Sequence, residues 1–309
     1  MIRRTLLLMA LTVLAATLNA REAVRQQIDR QQREIGLTLA SFARGISTVT
    51  FSDRSPQLKE VKVSGEGRPL QGTISRDGES IAFEISFHHP ARWTLGVAHS
   101  DGTGLQEYPN IVSPSSICWS NDKSTLALNA ELPKQPNGAL LMMGLGSHAT
   151  RQIEAGGSLT SQCWSPDDKQ IVYGVGKSIR IYDLGQGKWT ELAEGEGPAW
   201  SPDGNWIAFY HDAAYYAIRP SGADQKLLFR KKGHSAGPWW SPDSALLAYM
   251  CLSGKGGDWM GFETRQLRVR RLADSSDDWV LNEPDDSFSP QYQWVLPRQT
   301  REHWKIGQP

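Results

Sequence analysis

The segment Trp200-Ser201-Pro202-Asp203-Gly204-Asn205-Trp206-Ile207-Ala208-Phe209 decides how this sequence folds. Proline at the second position and glycine at the fourth position of Ser-Pro-Asp-Gly favour a type I turn, in which the serine and aspartate side chains bond nearby backbone N–H groups. Trp200 places a large apolar ring at the end of the strand before the turn. The run Ile207–Phe209 is apolar at consecutive positions, which is typical of a strand buried on both faces.

The same ten-residue pattern recurs along the chain. The shared serines are 45, 45, 36, 40 and 48 residues apart, and the copies align without a gap. They begin at Ile74, Trp119, Trp164, Trp200, Trp240 and Phe288, and the last copy is degenerate. Two further strand-like runs usually follow a copy, for example Ser178–Asp183 and Trp189–Leu192. About four short strands per period of roughly 40 residues predict the blades of a β-propeller.

The two ends of the chain fit a ring of blades. Residues 289–309 are too few to complete a blade after Phe288, whereas Ile46–Phe51 and Leu58–Val63 look like outer strands that lack inner ones. We therefore predict that N-terminal strands complete the C-terminal blade and so bury both open sheet edges. The predicted fold is all-β: a six-bladed β-propeller of four-stranded antiparallel blades over residues 46–309.

These W-S-P-D-G…I-A-F repeats resemble the TolB-like six-bladed β-propeller family, whose WD40-like repeat is of the PD40 type, over residues 46–309. The motif also recurs in the propellers of prolyl-oligopeptidase-type enzymes. The resemblance implies a rigid propeller and leaves its function open. The Tol family member carries an α/β domain before the propeller, and the peptidases append a catalytic domain. We expect neither here, since only residues 21–45 separate the predicted signal from the first predicted strand.

The N-terminus reads as a secretory signal peptide over residues 1–20. Arg3 and Arg4 precede the apolar run Leu6–Ala16, and Leu18-Asn19-Ala20 is a plausible cleavage site. The run is too short to span a bilayer, which takes about 20 residues. We predict an exported chain, periplasmic or secreted, without a transmembrane segment after cleavage; an uncleaved N-terminal anchor is the alternative. The first cysteine is Cys118, so no lipid-anchored cysteine lies near the signal.

Residues 21–45 form a distinct segment. Five apolar residues fall at helical spacing, and five arginines are interspersed with them, which predicts an amphipathic helix. The apolar residues are Val24, Ile28, Ile35, Leu39 and Phe42. We expect this helix to pack on the propeller or to act as a spacer; binding to a partner or to a membrane surface is the alternative.

Charge and cysteine content exclude two classes of protein. With 33 basic and 33 acidic residues the formal net charge is zero, so the chain lacks the electrostatic signature of a nucleic-acid-binding protein. Its 3 cysteines cannot all pair within one chain and do not suggest a disulfide framework. We expect buried, unpaired thiols.

Two short motifs imitate catalytic sites. Residues 233–237 read G-H-S-A-G, the pattern of a hydrolase nucleophile elbow around Ser235. Such an elbow needs a helix after the serine, whereas Pro238 and Trp239-Trp240 continue a strand. Asp274 and His303 would have to supply the acid and the base, in the wrong fold context. The motif is therefore interpreted as accidental.

Residues 174–178, G-V-G-K-S, end like a phosphate-binding loop, but Ile171 stands where that motif needs its first glycine. A hairpin turn is predicted instead. His88-His89 is the only histidine cluster, and no histidine spacing matches a metal-ligand pattern. We predict no metal and no cofactor.

Several charged residues precede the turn motif in different blades, near the starts of inner strands and hence around the channel mouth. An alternative is a merely solvated rim. The candidate binding residues are Glu196, His234, Glu283, Asp285 and Asp286.

Together these features predict an exported, monomeric, non-catalytic binding or scaffold protein. It would recognise a protein partner, or a small ligand, on its channel mouth or loop face. The alternative is a propeller enzyme of the lyase or lactonase type that acts on a carbohydrate or a lactone at the central channel.

Overall fold

The computed structural model of the chain describes residues 38–41, 46–52, 55–61, 67–132, 135–156, 158–231, 234–252, 265–273, 278–282 and 292–295. These residues form antiparallel strands in five sheets, four with four strands and one with seven. Within these ranges the chain has no helix, and therefore none long and apolar enough to cross a membrane. The predicted signal peptide, residues 1–20, lies outside the described residues.

The strands are numbered in chain order. Three come first: β1 (Thr38–Ser41), β2 (Ile46–Ser52) and β3 (Ser55–Val61). The seven-stranded sheet contains β4 (Arg68–Ile74), β5 (Ser80–His88), β6 (Ala91–His99), β7 (Gln106–Trp119), β8 (Thr125–Leu132), β9 (Gln135–Gly144) and β10 (Thr150–Ala155). The next sheet contains β11 (Leu159–Trp164), β12 (Gln170–Val175), β13 (Ser178–Asp183) and β14 (Lys188–Glu194). It is followed by β15 (Glu196–Trp200), β16 (Ile207–His211), β17 (Ala214–Ile218) and β18 (Lys226–Arg230). The last strands are β19 (His234–Trp240), β20 (Leu246–Leu252), β21 (Arg265–Arg271), β22 (Asp278–Asn282) and β23 (Tyr292–Val295).

The sequence repeat corresponds to a four-stranded antiparallel unit. The long strand β7 belongs to two such units, because its first part pairs with β6 and its second part pairs with β8. We name the units A (β4 to the first part of β7), B (the rest of β7 to β10), C (β11–β14), D (β15–β18) and E (β19–β22). The first strand of each unit lies beside the first strand of the next unit and is called its innermost strand.

A buried serine holds each of the five described turns between the first and second strands of a unit. Its Oγ donates to the Oδ1 of the aspartate two residues later at 2.5–2.7 Å. The same Oγ accepts the backbone N–H five residues later at 2.9–3.0 Å. The aspartate Oδ1 accepts a further N–H two residues beyond it. The serines are Ser75, Ser120, Ser165, Ser201 and Ser241.

The fourth turn position adopts a left-handed conformation, as the predicted turn requires of its glycine. Gly78 has φ 72° and Gly204 has φ 74°, and the N–H of each donates to the carbonyl of the turn serine. Lys123, Asp168 and Ser244 take the same conformation in the other units. The sequence prediction of a type I turn closed by a fourth-position glycine is therefore confirmed.

The apolar run of each second strand lies in a core between neighbouring units. In unit D, Ile207 and Phe209 pack in a cluster with Val172 of unit C, whereas Ala208 packs in a cluster with Tyr249 of unit E. Ile207, Ala208 and Phe209 are all fully buried. The strand is therefore buried on both faces, as its unbroken apolar pattern predicts.

The ring of the tryptophan before the turn packs in the core between neighbouring units. In two units its indole N–H also donates a hydrogen bond to the neighbouring unit. The indole of Trp164 donates to the carbonyl of Cys118 at 3.3 Å, and that of Trp240 donates to the carbonyl of Ala199 at 3.0 Å. Trp200 instead donates to the carbonyl of Gly204 in its own turn. The buried indole N–H of Trp119 has no hydrogen-bond acceptor among the described residues.

The remaining sheet, here called the terminal sheet, combines both ends of the chain in the order β23-β1-β2-β3. β1 pairs with β23 on one edge and with β2 on the other, so that Leu39 lies opposite both Trp294 and Val49. The C-terminal part of the predicted helix is therefore wrong: Thr38–Ser41 is a strand, and its sheet begins before residue 46. Pairing on both edges satisfies the backbone groups that a helix would have satisfied locally. The rest of the predicted helix lies outside the described residues.

The sixth sequence copy also differs from its prediction. The alignment places turn residues at 289–292 and a strand from Val295, whereas Tyr292–Val295 is a strand that lies beside β19 and β4. The copy has Gln291 in place of the turn aspartate and Tyr292 in place of the left-handed glycine. Without the carboxylate that binds the serine and without a residue suited to positive φ, the sequence does not specify the turn.

The turn serine can be tested by truncation. Ser201→Ala removes the hydroxyl that bonds Asp203 and the Trp206 N–H, and leaves buried polar groups unpaired. We expect the free energy of unfolding to fall by about 1–3 kcal/mol. The control Ser221→Ala changes an exposed serine of another turn and should have an effect within about 0.5 kcal/mol. Urea denaturation of both variants measures the difference; equal effects would contradict the role of the buried serine.

The tryptophan hydrogen bond can be separated from its packing. Trp240→Phe and Trp119→Phe both remove a similar buried volume, but only Trp240 donates its indole N–H to a neighbouring unit. We expect Trp240→Phe to destabilise the protein by about 1 kcal/mol more than Trp119→Phe does. Thermal and urea unfolding monitored by circular dichroism compare the two. A larger loss of unfolding free energy for Trp119→Phe than for Trp240→Phe would show that the hydrogen bond from the Trp240 indole to Ala199 does not stabilise the protein.

Candidate functional site

Neighbouring innermost strands run side by side in the same direction. Near their ends, the indole of Trp240 in β19 reaches the carbonyl of Ala199 in β15. Near their starts, Gly197 of β15 lies against the backbone of Gly237 in β19. One surface of the molecule therefore contains the first residues of the innermost strands. It also contains the turns between the second and third strands of each unit. We call this surface the strand-start mouth. The serine–aspartate turns occupy the opposite surface, the turn face.

Two of the five candidate binding residues begin innermost strands at this mouth. Glu196 is the first residue of β15 and is exposed. His234 is the first residue of β19, which lies beside β15. Glu283, Asp285 and Asp286 lie outside the described residues. The role of all five in ligand contact stays a prediction.

Glycine allows β15 and β19 to converge directly beside Glu196. Gly197 has φ 61°, and a Cβ on it would lie 2.4 Å from the carbonyl oxygen of Gly237. Gly237 itself has φ 96°. Since no other residue fits this approach without moving the backbone, the two glycines bring the backbones of the two strands together beside Glu196.

The hairpin that joins β5 and β6 adds aromatic and imidazole groups to the strand-start mouth. His88 and His89 are exposed at its turn. Trp93, near the start of β6, is 42% exposed, although tryptophan is seldom left in solvent. Sequence reasoning missed Trp93, because its signal is only a tryptophan in a stretch of polar residues beside a turn.

A buried carboxyl group lies below this mouth, also missed from the sequence. Glu84 stands in the middle of the apolar strand β5, where it is 9% exposed. Its pKa is raised because burial disfavours the charged carboxylate, although a 3.3 Å hydrogen bond from Gln71 of β4 partly opposes the shift. The signal in the sequence was an acid within the otherwise apolar I-A-F-E-I run.

The polar groups of the turn face are bonded to one another across units. Asn121 of unit B donates its backbone N–H and its Nδ2 to Asp168 Oδ1 of unit C, both at 2.8 Å. Its Oδ1 accepts from the Arg76 guanidinium of unit A at 3.1 Å. Lys123 of unit B forms an ion pair with Asp77 of unit A. These contacts join the turns of units A, B and C into one network.

The ion pair between Lys123 and Asp77 changes the pKa of both groups. Burial alone would raise the pKa of Asp77, but hydrogen bonds from Lys123, Ser75 and the Glu79 N–H outweigh it and lower the pKa to about 2. The hydrogen bond to Asp77 in turn raises the pKa of Lys123, despite its partial burial. Both groups therefore stay charged at neutral pH and remain bound to each other.

The motifs that imitate catalytic sites lie in ordinary strands and turns. Ser235 is within β19, a strand that continues to Trp240, so no helix follows it. The G-V-G-K-S stretch is a hairpin in which Val175 pairs with Ser178 and Gly176 has φ 58°, as predicted. Among the residues that the structure describes, no group of three or more His, Cys, Asp or Glu side chains could hold a metal ion.

Cys251 is buried, as expected of all three thiols, but Cys118 and Cys163 are only partly buried. The expectation of unpaired thiols is confirmed for all three cysteines, whereas full burial of the residue holds for Cys251 alone. Each of the other two directly precedes the tryptophan of its own unit and packs against the core on the other side of the strand, Cys118 against the cluster of Trp164 and Cys163 against that of Trp200.

No family model matches the chain. Among solved structures, TolB from Acinetobacter baumannii is similar with a TM-score of 0.65 and 17% identity, over 84% of this chain and 67% of that protein. A structure of the nidogen/laminin complex has a TM-score of 0.63 and 12% identity, over 84% of this chain and 99% of the other. An oligogalacturonate lyase in complex with manganese has a TM-score of 0.53 and 14% identity, over 76% and 73% of the two chains.

At these identities the likeness concerns the fold. It agrees with the antiparallel four-stranded units and with the motif that defines them. The chain has the fold of a TolB-like β-propeller.

Proposed function

We propose that this chain is a non-catalytic, protein-binding β-propeller that recognises its partner at the strand-start mouth. The observation that carries the proposal is the contrast between the two surfaces. Asn121, Asp168 and Lys123 of the turn face are bonded to neighbouring turns. At the opposite surface, Glu196 is exposed on a backbone fixed by glycine.

The chemistry of the strand-start mouth suits a protein partner. Trp93 offers an amphipathic ring, the kind of side chain that dominates binding energy at protein interfaces. His88, His89 and Glu196 add polar groups around the same surface. A rigid sheet that presents such groups from turns binds with little loss of conformational entropy.

The proposal includes a closed ring of six blades, with the terminal sheet as the sixth. Two features support it. β23 lies beside β19 on one side and beside β4 on the other. In addition, pairing of β23 with β1 joins the ends of the chain within one sheet. Such closure leaves no open edge between the first and the last blade.

We further propose that the protein is exported to the periplasm or secreted and acts as a monomer. Export rests on the charged and apolar segments of residues 1–20. Binding to a protein is supported by one structural neighbour, which was solved as a nidogen/laminin complex. The manganese-bound oligogalacturonate lyase supports the alternative, a lyase that acts on a carbohydrate at the channel.

A photocrosslinking experiment tests the proposed surface. Benzoylphenylalanine is placed at Glu196 in one variant and at Lys169, exposed on the turn face, in the control. Each purified protein is irradiated in a bacterial envelope extract. We expect a discrete crosslinked protein at position 196 that excess unmodified protein removes, and no such product at position 169.

Two results would overturn the proposal. One is the lack of a discrete crosslinked protein at position 196, or a product there that excess unmodified protein does not remove. The same products at positions 196 and 169 would count equally against the proposal. The other is manganese-dependent cleavage of an oligogalacturonide by the purified protein, which would establish the enzymatic alternative. A further test places the benzoylphenylalanine probe at His88. The double variant Glu196→Gln, Trp93→Ala should still fold, but it should lose the crosslinked product that excess unmodified protein removes.

A further inference from the structure

The outermost strand of unit D differs in charge from the other described outermost strands. β18 contains Lys226 and Arg230 and no acidic residue. Basic side chains on an exposed edge commonly prevent edge-to-edge pairing, but that need is the same for every unit and does not explain the lack of acids in β18 alone. The acids on the other outermost strands are Glu60 in β3, Glu107 in the first part of β7, Glu154 in β10, Glu191 in β14 and Asp278 in β22.

The basic character extends to the strands that flank the boundary between units D and E. Residues 214–231 and 268–273 contain seven basic residues and one acid, Asp224, which lies 3.6 Å from Arg219. Strand β22 adds one more acid, Asp278, opposite Arg270 in the register. The formal net charge of these segments is therefore +5, whereas that of the whole chain is zero. The basic residues are Arg219, Lys226, Arg230, Lys231, Arg268, Arg270 and Arg271.

Aromatic rings position three of these cations without neutralising them. Lys226 Nζ lies 3.6 Å from the centroid of the Trp206 ring, and Arg219 Cζ lies 4.1 Å from it. Arg270 Cζ of unit E lies 4.5 Å from the ring centroid of Phe229 in β18. A cation–π contact orients the cation and leaves its formal charge unchanged. The contact of Arg270 with Phe229 also joins the basic residues of units D and E into one patch. This patch, here called the basic rim, comprises Arg219, Lys226, Arg230 and Arg270.

An exposed apolar side chain stands among these cations. Leu227 directly follows Lys226 in β18 and is 47% exposed, more than either exposed tryptophan. Lys226 and Arg230, on either side of it in the strand, are exposed as well. Cations with an apolar side chain between them suit the boundary between lipid headgroups and acyl chains. A water-soluble polyanion would use the cations alone, so Leu227 favours a lipid surface.

We propose that the basic rim binds the anionic surface of a phospholipid bilayer, with Leu227 inserted at the boundary between headgroups and acyl chains. Lys226 and Arg230 donate hydrogen bonds to the headgroup phosphates. Each basic residue close to an anionic surface strengthens binding about fivefold. The contact uses the outermost strand of unit D, whereas the innermost strands begin at the strand-start mouth. Bilayer binding is therefore independent of the proposed protein partner.

Sedimentation with vesicles tests the proposal on the purified full chain. One set of vesicles is phosphatidylcholine alone, and in the other about one third of the lipid is phosphatidylglycerol, which is anionic. We expect the chain to sediment with the anionic vesicles only. Raising the ionic strength from about 0.1 M to about 1 M shortens the Debye length from about 10 Å to about 3 Å and should release the protein.

Variants locate the binding surface. Lys226→Gln with Arg230→Gln should weaken binding to the anionic vesicles about 30-fold, since two basic residues are removed. The control Lys169→Gln with Lys188→Gln removes the same charge from exposed positions on the turn face and on β14, and should change binding by less than about twofold.

The apolar contribution is tested separately. Leu227→Ser should weaken binding to the anionic vesicles about tenfold, because the exposed part of the leucine would no longer leave water. Circular dichroism and thermal unfolding show whether each variant is folded.

Four outcomes would overturn the proposal. The first is equal binding, or no binding, to the anionic and the neutral vesicles. The second is an equal loss of binding in the rim variant and in its control. The third is unchanged binding of both rim variants, which would assign vesicle binding to another part of the chain, such as the predicted amphipathic segment. The fourth is retention on immobilised dextran sulfate without vesicle binding, which would identify a soluble polyanion as the ligand.

Discussion

The fold depends on a buried serine hydroxyl that bonds an aspartate and a strand amide at once. Ser201, for example, donates to Asp203 and accepts the N–H of Trp206, the last residue before the apolar run of the second strand. The hydroxyl fixes where the first strand ends and where the second begins. Because the same arrangement recurs in units A to E, each tryptophan and each apolar run enters the core between units at the same level.

This constraint also divides the molecule into two surfaces with different chemistry. The turn face is occupied by interactions that the fold itself requires, such as the bonds from Asn121 to Asp168. In the described part of the strand-start mouth, the residues differ from one unit to the next: glutamate at 196, histidine at 234 and an exposed tryptophan at 93. Variable side chains on a fixed scaffold are what a recognition surface needs.

The sequence could predict those parts of the fold that depend on local chemistry. The turn, the burial of Ile207–Phe209 on both faces and the strand that begins at Ile46 follow from residue types and their spacing. Pairing between distant segments was harder to foresee: β1 has a helical pattern and becomes a strand because β23 and β2 cover its two edges.

Native-state hydrogen exchange measures the role of the serine hydroxyl most directly. The amides of Ser80, Thr125, Gln170, Trp206 and Leu246 donate to the buried serines. We expect all five to exchange only through global unfolding, with the same free energy as the slowest core amides. Exchange of these amides at the rate of exposed turn amides, while the core stays protected, would contradict the dependence of the fold on this interaction.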